Sequence, residues 1–274
     1  MRRRRDMRAL SVILALLGAP ALAEPLTVKG SDTLVGLVQR WAASAMKEDA
    51  ALEVQVTGGG SGTGLAALEN GSTDVAMSSR PISDRERERL IARYGAPPRE
   101  VAVARDGVAF FVNAENPVRA LTLAQLRALF LGDVSRWSDV GGPDRLVVLY
   151  TRENSSGTYA FVRERLLENE EFAPRAQPLP GTGAVVNAVS RERWGLGFGG
   201  AAFARRVATL GIQVGERAIH PTPEAVRDGS YPLARDLYFY LPPEPSPAAR
   251  RFLDFVLSDR AQAQARAAGF FSLR

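Results

Sequence analysis

Four short segments rich in glycine, serine and threonine stand where a predicted strand ends and a predicted helix begins. They span residues 30–33, 58–64, 154–158 and 181–183. Backbone N–H groups at a helix start lack partners, and the helix dipole adds about half a positive charge there. Hydroxyl side chains add donors, and glycine allows close approach. One such segment is typical of ordinary helix capping, but four in one chain favour an anion-binding site.

Two arginines occupy the same kind of position. Arg152 lies four residues before Ser156, between a predicted strand and a predicted helix, and Arg80 follows Ser79 at another strand end. A guanidinium offers a planar set of donors that fits a tetrahedral oxyanion through two hydrogen bonds. Both arginines are therefore predicted ligand-binding residues. The alternatives are a surface pair of Arg152 with Glu153 and a structural salt bridge of Arg80.

The sequence contains only incomplete versions of the known motifs for catalysis or for cofactor binding. Leu65 stands where a nucleotide P-loop needs lysine, and Thr63 replaces the second glycine of a nucleophile elbow. Residues 195–200 match a dinucleotide glycine pattern, but no convincing acidic residue follows about 20 positions later. The chain has no cysteine and one histidine, His220, in a loop-like stretch. The sequence predicts no catalytic residue, no metal and no cofactor.

Strand-like and helix-like segments alternate along the chain. Residues 34–46 have apolar side chains at helical spacing, whereas residues 101–112 form the strongest strand pattern. Such alternation predicts an α/β fold with a mainly parallel sheet. Because no low-complexity linker divides the chain, we expect two α/β lobes joined by two crossing segments, residues 101–112 being the first. The predicted lobes are residues 24–112 with 226–274, and residues 113–225.

The first 23 residues have the pattern of a signal peptide. Five arginines precede an apolar run over residues 10–21, and Ala21-Leu22-Ala23 fits a signal peptidase site. The run is shorter than the ~20 residues that span a bilayer. We therefore expect cleavage after Ala23, a periplasmic chain, and no membrane insertion of the mature protein.

Removing this segment changes the charge of the chain. The formal net charge is +5, and residues 1–23 contribute +4 of it, which leaves the mature chain near +1. The basic character that would suggest a nucleic-acid partner therefore belongs mostly to the signal peptide, and no such partner is expected. Since no cysteine follows the signal peptide, a lipid anchor is also excluded.

The ordered set of motifs resembles the periplasmic phosphate-binding proteins of the phosphate-specific ABC transporter, over essentially the whole mature length. The matching segments are residues 30–33, 58–64, 74–81, 106–109, 113–117, 137–142, 151–158, 231–235 and 268–270. The resemblance implies a type II periplasmic-binding-protein fold, in which two lobes close on inorganic phosphate. It also implies a membrane ABC permease as partner, and we expect a monomer.

The resemblance assigns ligand-binding residues in both lobes. They are Ser31, Thr33, Ser61 and Ser79 in the first lobe, and Arg152, Ser156, Gly157 and Thr158 in the second. Some family members carry aspartate where Ser79 stands, and that aspartate accepts a hydrogen bond from a protonated phosphate oxygen. Serine both donates and accepts, so weaker discrimination against a fully ionised anion is expected. Asp32 is an alternative acceptor.

Three other functions stay open at this point. The first is a binding protein for another oxyanion, such as sulfate, molybdate or a phosphonate. The second is a phosphate-sensing or surface protein that uses the fold without transport. The third is a phosphate-ester hydrolase, which the lack of cysteine and of a metal-ligand cluster disfavours.

Overall fold

The computed structural model describes residues 24–273, so the predicted signal peptide lies outside the described residues. The described chain is a mixed α/β protein, as the alternation of segments predicts. Its helices are α1 (Asp32–Glu48), α2 (Ser61–Glu69), α3 (Asp84–Tyr94), α4 (Leu123–Leu131), α5 (Gly157–Arg165), α6 (Gly181–Arg191), α7 (Pro223–Arg227), α8 (Pro247–Val256) and α9 (Asp259–Ala267). Short 3-10 helices span Trp137–Val140 and Ala201–Phe203.

Twelve strands are found in the same part of the chain. They are β1 (Leu26–Gly30), β2 (Val54–Thr57), β3 (Val75–Ser78), β4 (Arg99–Val112), β5 (Ala120–Leu121), β6 (Val148–Arg152), β7 (Gln177–Leu179), β8 (Gly195–Gly200), β9 (Ala208–Thr209), β10 (Gly211–Val214), β11 (Arg217–Ile219) and β12 (Ala234–Leu241). No helix within residues 24–273 is long and apolar enough to cross a membrane.

Nine strands form one sheet in the order β2-β1-β3-β12-β4-β8-β6-β7, with β9 also paired to β4. Both ends of this sheet are parallel: β1 pairs with β2 and β3, and β6 pairs with β7 and β8. The centre is antiparallel, through β12 and β4. The predicted mainly parallel sheet is therefore correct only at the two ends.

Strand β4 connects the two halves of the sheet. Residues 99–107 of β4 pair with β12, and residues 108–112 pair with β8. The change of partner falls between Gly107 and Val108. Strand β12 runs antiparallel beside β4 and pairs with β3 on its other side. The chain therefore passes from the first half of the sheet to the second through β4, as the sequence predicts. It returns to the first half through β12, which lies beside β4.

Buried apolar side chains form two large clusters. The first core draws on residues 26–104 and 237–270, and Trp41 is one of its fully buried members. The second core draws on residues 108–233, and Phe130 is fully buried within it. Full burial of one large apolar side chain contributes about 1.5–3 kcal/mol. Each half of the chain therefore has an apolar interior of its own, and polar residues can occupy the junction between them.

Candidate anion-binding site

The loops that follow β1, β2 and β6 each lead into a helix. Helices α1, α2 and α5 begin at Asp32, Ser61 and Gly157. The backbone N–H of Gly62 donates to the carbonyl of Ser155 at 2.9 Å, which joins the start of α2 to the loop before α5. Two helix starts are therefore in direct contact, one from each half of the chain.

Buried hydroxyl groups fill the contact between these helix starts. The Oγ1 atoms of Thr33 and Thr158 lie 3.2 Å apart, which brings the start of α1 to that of α5. The Oγ atoms of Ser61 and Ser79 lie 3.3 Å apart, and Ser61 Oγ also accepts from the Ser79 N–H at 3.0 Å. All four residues are buried. Because burying hydroxyl groups is costly without good partners, such a cluster indicates a site for a polar ligand.

Glycine is required where the two halves touch. A Cβ on Gly157 would lie 2.2 Å from Ser61 Oγ and 2.6 Å from Ser79 Oγ. Gly60 has a φ of +94°, and its Cβ would lie 2.5 Å from the Ser155 carbonyl oxygen. Any side chain at either position would push the halves apart, so glycine permits this close approach.

Arg152 supplies a buried positive charge. Its side chain is 2% exposed. Nη2 donates to Asp32 Oδ2 at 2.8 Å, and Nη1 donates to Thr182 Oγ1 at 2.9 Å. Burial lowers the pKa of the Arg152 guanidinium and the Asp32 carboxylate opposes that change, so the group stays protonated at neutral pH. The alternative interpretation, a surface pair of Arg152 with Glu153, is wrong, because the side chain is buried and its acidic partner is Asp32.

Two buried side-chain donors at the site lack partners within the described chain. They are Arg152 Nε and Ser31 Oγ. Ser31 is the N-cap of α1 but makes no side-chain cap bond, whereas the N-cap Ser156 accepts from the Tyr159 N–H at 3.2 Å. A buried polar group without a partner costs about 1–3 kcal/mol. The two unused groups indicate that a polar ligand completes the site.

A second buried ion pair adjoins the hydroxyl cluster, and sequence reasoning did not include it in the site. Arg235 on β12 donates from Nη2 to Asp106 Oδ2 at 2.8 Å, and from Nε to the same oxygen at 3.3 Å. Nη2 also donates to Thr158 Oγ1, and Nη1 donates to the Ser79 carbonyl, both at 3.0 Å. Burial raises the pKa of the Asp106 carboxyl, and Arg235 opposes that rise. The pair therefore fixes Ser79 and Thr158 in position.

Comparison with known proteins agrees with this architecture. Residues 18–260 match the model of a PBP (periplasmic-binding-protein) superfamily domain. The phosphate-binding protein PstS of Pseudomonas aeruginosa PAO1 is 31% identical, with 96% of this chain and 92% of that protein covered. This chain belongs to the PstS family of the PBP superfamily.

Other PstS relatives and solved structures are similar along most of the chain. The phosphate-binding protein PstS of Staphylococcus epidermidis RP62A is 29% identical, with 86% of this chain and 75% of that protein covered. An ABC-type phosphate transport receptor from Vibrio cholerae superposes with a TM-score of 0.74 at 25% identity, covering 90% of this chain and 99% of that one. A Clostridium perfringens protein assigned to phosphate ABC transport superposes with a TM-score of 0.84 at 23% identity, covering 91% of this chain and 100% of that one. These similarities confirm the predicted periplasmic-binding-protein fold.

In this PstS-family chain, most of the predicted ligand-binding residues lie around the starts of α1, α2 and α5. They are Ser31, Thr33, Ser61, Ser79, Arg152, Ser156, Gly157 and Thr158. The arrangement offers hydroxyl groups, helix N-termini and one guanidinium, which are donors for a compact oxyanion. Among residues 24–273, no three His, Cys, Asp or Glu side chains are grouped so that they could hold a metal ion.

Arg80 differs from the other predicted ligand-binding residues in its contacts. Its Nη1 and Nη2 atoms each donate to the carboxylate of Glu86 at 2.7 Å, and Nη1 also donates to the Pro81 carbonyl at 2.9 Å. Glu86 in turn completes a capping box with Ser83 at the start of α3. These bonds form a structural salt bridge, which was the alternative interpretation of Arg80, and they favour that role over ligand binding.

Proposed function

We propose that this protein binds inorganic phosphate between its two lobes and delivers it in the periplasm to a membrane ABC permease. The observation that carries the proposal is the pair of buried, unpartnered groups at the site, Arg152 Nε and Ser31 Oγ, beside three helix starts. A guanidinium and helix N-termini together favour a small anion with several acceptor oxygens. The PstS relatives, named as phosphate-binding proteins, support phosphate as that anion.

The lobes of this proposal are residues 24–112 with 226–274, and residues 113–225. The first core and the second core support this division, because most of their members fall on opposite sides of these boundaries. In an open form each lobe exposes its own helix starts to water. Phosphate first binds one lobe, and closure then completes the set of donors with Arg152 and the start of α5. Closure removes water, which strengthens each polar interaction in the site.

Release requires that the permease part the lobes. No bond is made or broken in the ligand, so the proposed function needs no catalytic residue and no cofactor. We infer that the exported chain acts as a monomer, free in the periplasm after cleavage of residues 1–23. If the protein were instead a hydrolase, it would turn over a chromogenic phosphate ester, and the activity would be abolished in the Ser156→Ala variant.

Selectivity for a protonated anion such as phosphate depends on a hydrogen-bond acceptor in the site. Both carboxylate oxygens of Asp32, the alternative acceptor, already accept hydrogen bonds within the protein. Its Oδ2 atom accepts from Arg152, and its Oδ1 atom accepts from the Gly59 N–H at 2.8 Å. Ser79 carries a hydroxyl where a carboxylate would recognise a protonated oxygen. This observation favours a second candidate, a protein that also binds other oxyanions: fully ionised ones such as sulfate or molybdate, or a phosphonate.

Competition between anions separates these two candidates. Tryptophan fluorescence of the purified protein would follow displacement of phosphate by sulfate, molybdate and a phosphonate. A preference for phosphate over sulfate of less than about tenfold, or ~1.4 kcal/mol, supports the broader specificity. A preference above about a thousandfold would show that another acceptor recognises the phosphate proton.

The proposed ligand role of Arg152 is tested by calorimetry with phosphate. In the Arg152→Ala variant we expect affinity to fall at least about tenfold, which corresponds to ~1.4 kcal/mol. The matched control is Arg163→Ala, because Arg163 lies on α5 and pairs with Glu171 on a more exposed surface. An unchanged affinity in Arg152→Ala would contradict the site assignment. Phosphate uptake in cells lacking the protein tests transport, since normal uptake would favour the sensing or surface role.

A further inference from the structure

A large cavity lies beside β4, and its lining contains none of the predicted phosphate-binding residues. Its volume is about 820 Å³. Pro221, from residues 113–225, and Phe270, from residues 226–274, both line it. Arg105, close to the point where β4 changes partners, also lines it. The cavity is therefore bounded by residues from both halves of the chain.

Four arginines line this cavity, and no acidic residue does. Arg105 is paired with Asp236 at 2.9 Å. The side chains of Arg205, Arg227 and Arg266 are exposed and form no ion pair with any residue between 24 and 273. Like charges around one opening repel each other. An anionic group bound among them would relieve this repulsion.

The rest of the cavity wall is largely apolar. It includes Pro221, Val226, Phe270, Phe271 and Leu273. Its volume falls within the ~300–1,000 Å³ that is typical of small-molecule sites. Inorganic phosphate would leave most of this space empty, and a neutral apolar molecule would leave the arginines without a partner. The wall and its charges together fit an anion with a hydrocarbon or aromatic body.

We propose that this cavity is a second ligand site, for small amphipathic anions that carry one acidic group on an apolar body. Because both halves of the chain line it, its ligand stabilises the lobe arrangement described above. Through linkage, the ligand and phosphate then tighten each other's binding by the same factor. The existence of the cavity site is independent of the proposed function, whereas this coupling rests on it.

The cavity site is tested with 8-anilino-1-naphthalenesulfonate, a fluorescent amphipathic anion, on phosphate-saturated protein. We expect one saturable site, from which octanoate displaces the probe while equal concentrations of acetate or 1-octanol do not. In the double variant Arg227→Gln/Arg266→Gln, probe affinity should fall at least about tenfold. The control Arg85→Gln/Arg206→Gln removes two exposed arginines outside the lining and should bind normally.

Two results of this titration would overturn the cavity site. One is the absence of a saturable site in the wild-type protein, and the other is equal affinity in the wild type and in a folded Arg227→Gln/Arg266→Gln variant. The folded state of each variant is checked by its thermal unfolding. A titration without phosphate tests the cavity even if the protein does not bind phosphate, so failure of the proposed function is recognised separately.

The coupling is tested by phosphate calorimetry with and without saturating octanoate. We expect phosphate to bind about fivefold more tightly with octanoate, and probe affinity to rise by the same factor when phosphate is added. The Arg227→Gln/Arg266→Gln variant should lose the effect of octanoate and keep its affinity for phosphate alone. Phosphate affinity that does not respond to octanoate would overturn the coupling.

Discussion

The regions around Arg152 and Arg235 both contain a buried arginine paired with an aspartate, but the two pairs differ in their surroundings. Asp32, the partner of Arg152, is 23% exposed, whereas Asp106, the partner of Arg235, is 1% exposed. Every guanidinium nitrogen of Arg235 donates a hydrogen bond within the protein. Arg152 keeps Nε without a partner.

This difference separates Arg152, the proposed ligand-binding arginine, from Arg235, a structural one. Burial and an acidic partner are common to both, so neither property alone identifies a ligand-binding residue. The unused donor distinguishes Arg152 from Arg235, because a buried donor beside the helix starts is costly unless a ligand pairs with it. Arg235 instead fixes Ser79 and Thr158, which present their hydroxyl groups at the site.

The largest expected effect follows from removing the partner of Arg235. In Asp106→Ala the guanidinium stays buried without a counter-ion, so the free energy of unfolding should fall by about 3–5 kcal/mol. Urea denaturation measures this fall. The control Asp236→Ala breaks the partly exposed pair with Arg105 and should lower the free energy of unfolding by no more than about 1 kcal/mol. A similar small loss in both variants would show that the buried pair is not structural.

An intermediate effect is expected at the contact between the lobes. In Gly157→Ala the new Cβ would lie 2.2 Å from Ser61 Oγ in the closed arrangement, so phosphate affinity should fall at least about tenfold. The free energy of unfolding should change little, because the lobes can move apart. The control is Gly183→Ala on α6, where a Cβ has no neighbour within 4 Å. Equal phosphate affinity in both variants by calorimetry would contradict closure at Gly157.

The smallest effect is expected at Arg80, which resembles the structural Arg235 because its guanidinium is paired with a carboxylate, that of Glu86. Burial alone would raise the pKa of Glu86, but hydrogen bonds from Arg80 and Ser83 hold it below its ordinary value. The ionised pair therefore stabilises the fold fully when the pH is above the ordinary pKa of glutamate. This stabilisation is lost as the pH falls through the lowered pKa of Glu86 in the folded protein. Glu86→Gln should lower the free energy of unfolding by about 1 kcal/mol at neutral pH and by less in acid.

Denaturation of wild-type and Glu86→Gln proteins at neutral and acidic pH measures that difference. Phosphate affinity at neutral pH should be the same in both proteins. A tenfold change in affinity, about 1.4 kcal/mol, would show that Arg80 contributes to the ligand site after all.

The helix starts could be predicted because their signals are local. Glycine and hydroxyl residues that follow a strand predict the starts of α1, α2 and α5, and each such signal spans only a few residues. The partners could not be predicted in the same way. Arg152 pairs with Asp32, 120 positions away, and not with its neighbour Glu153, because the fold decides which distant residues meet.

Two features of the fold also escaped prediction. The antiparallel centre of the sheet arises because β12 returns to the first half next to β4, a pairing between segments 131 positions apart at Arg105 and Asp236. The small sheet of β11, β10 and β5 consists of strands two to four residues long. Strands of that length are too short to show a clear alternation of apolar and polar residues.

A crystal structure of the protein grown with phosphate tests the proposed phosphate site most directly. We expect one phosphate ion at the starts of α1, α2 and α5. Its oxygens should lie about 2.7–3.2 Å from the Arg152 guanidinium, from Ser31 Oγ and from the backbone N–H groups that begin α5. A structure with phosphate elsewhere, or with Arg152 bonded only to Asp32 and Thr182, would contradict the claim.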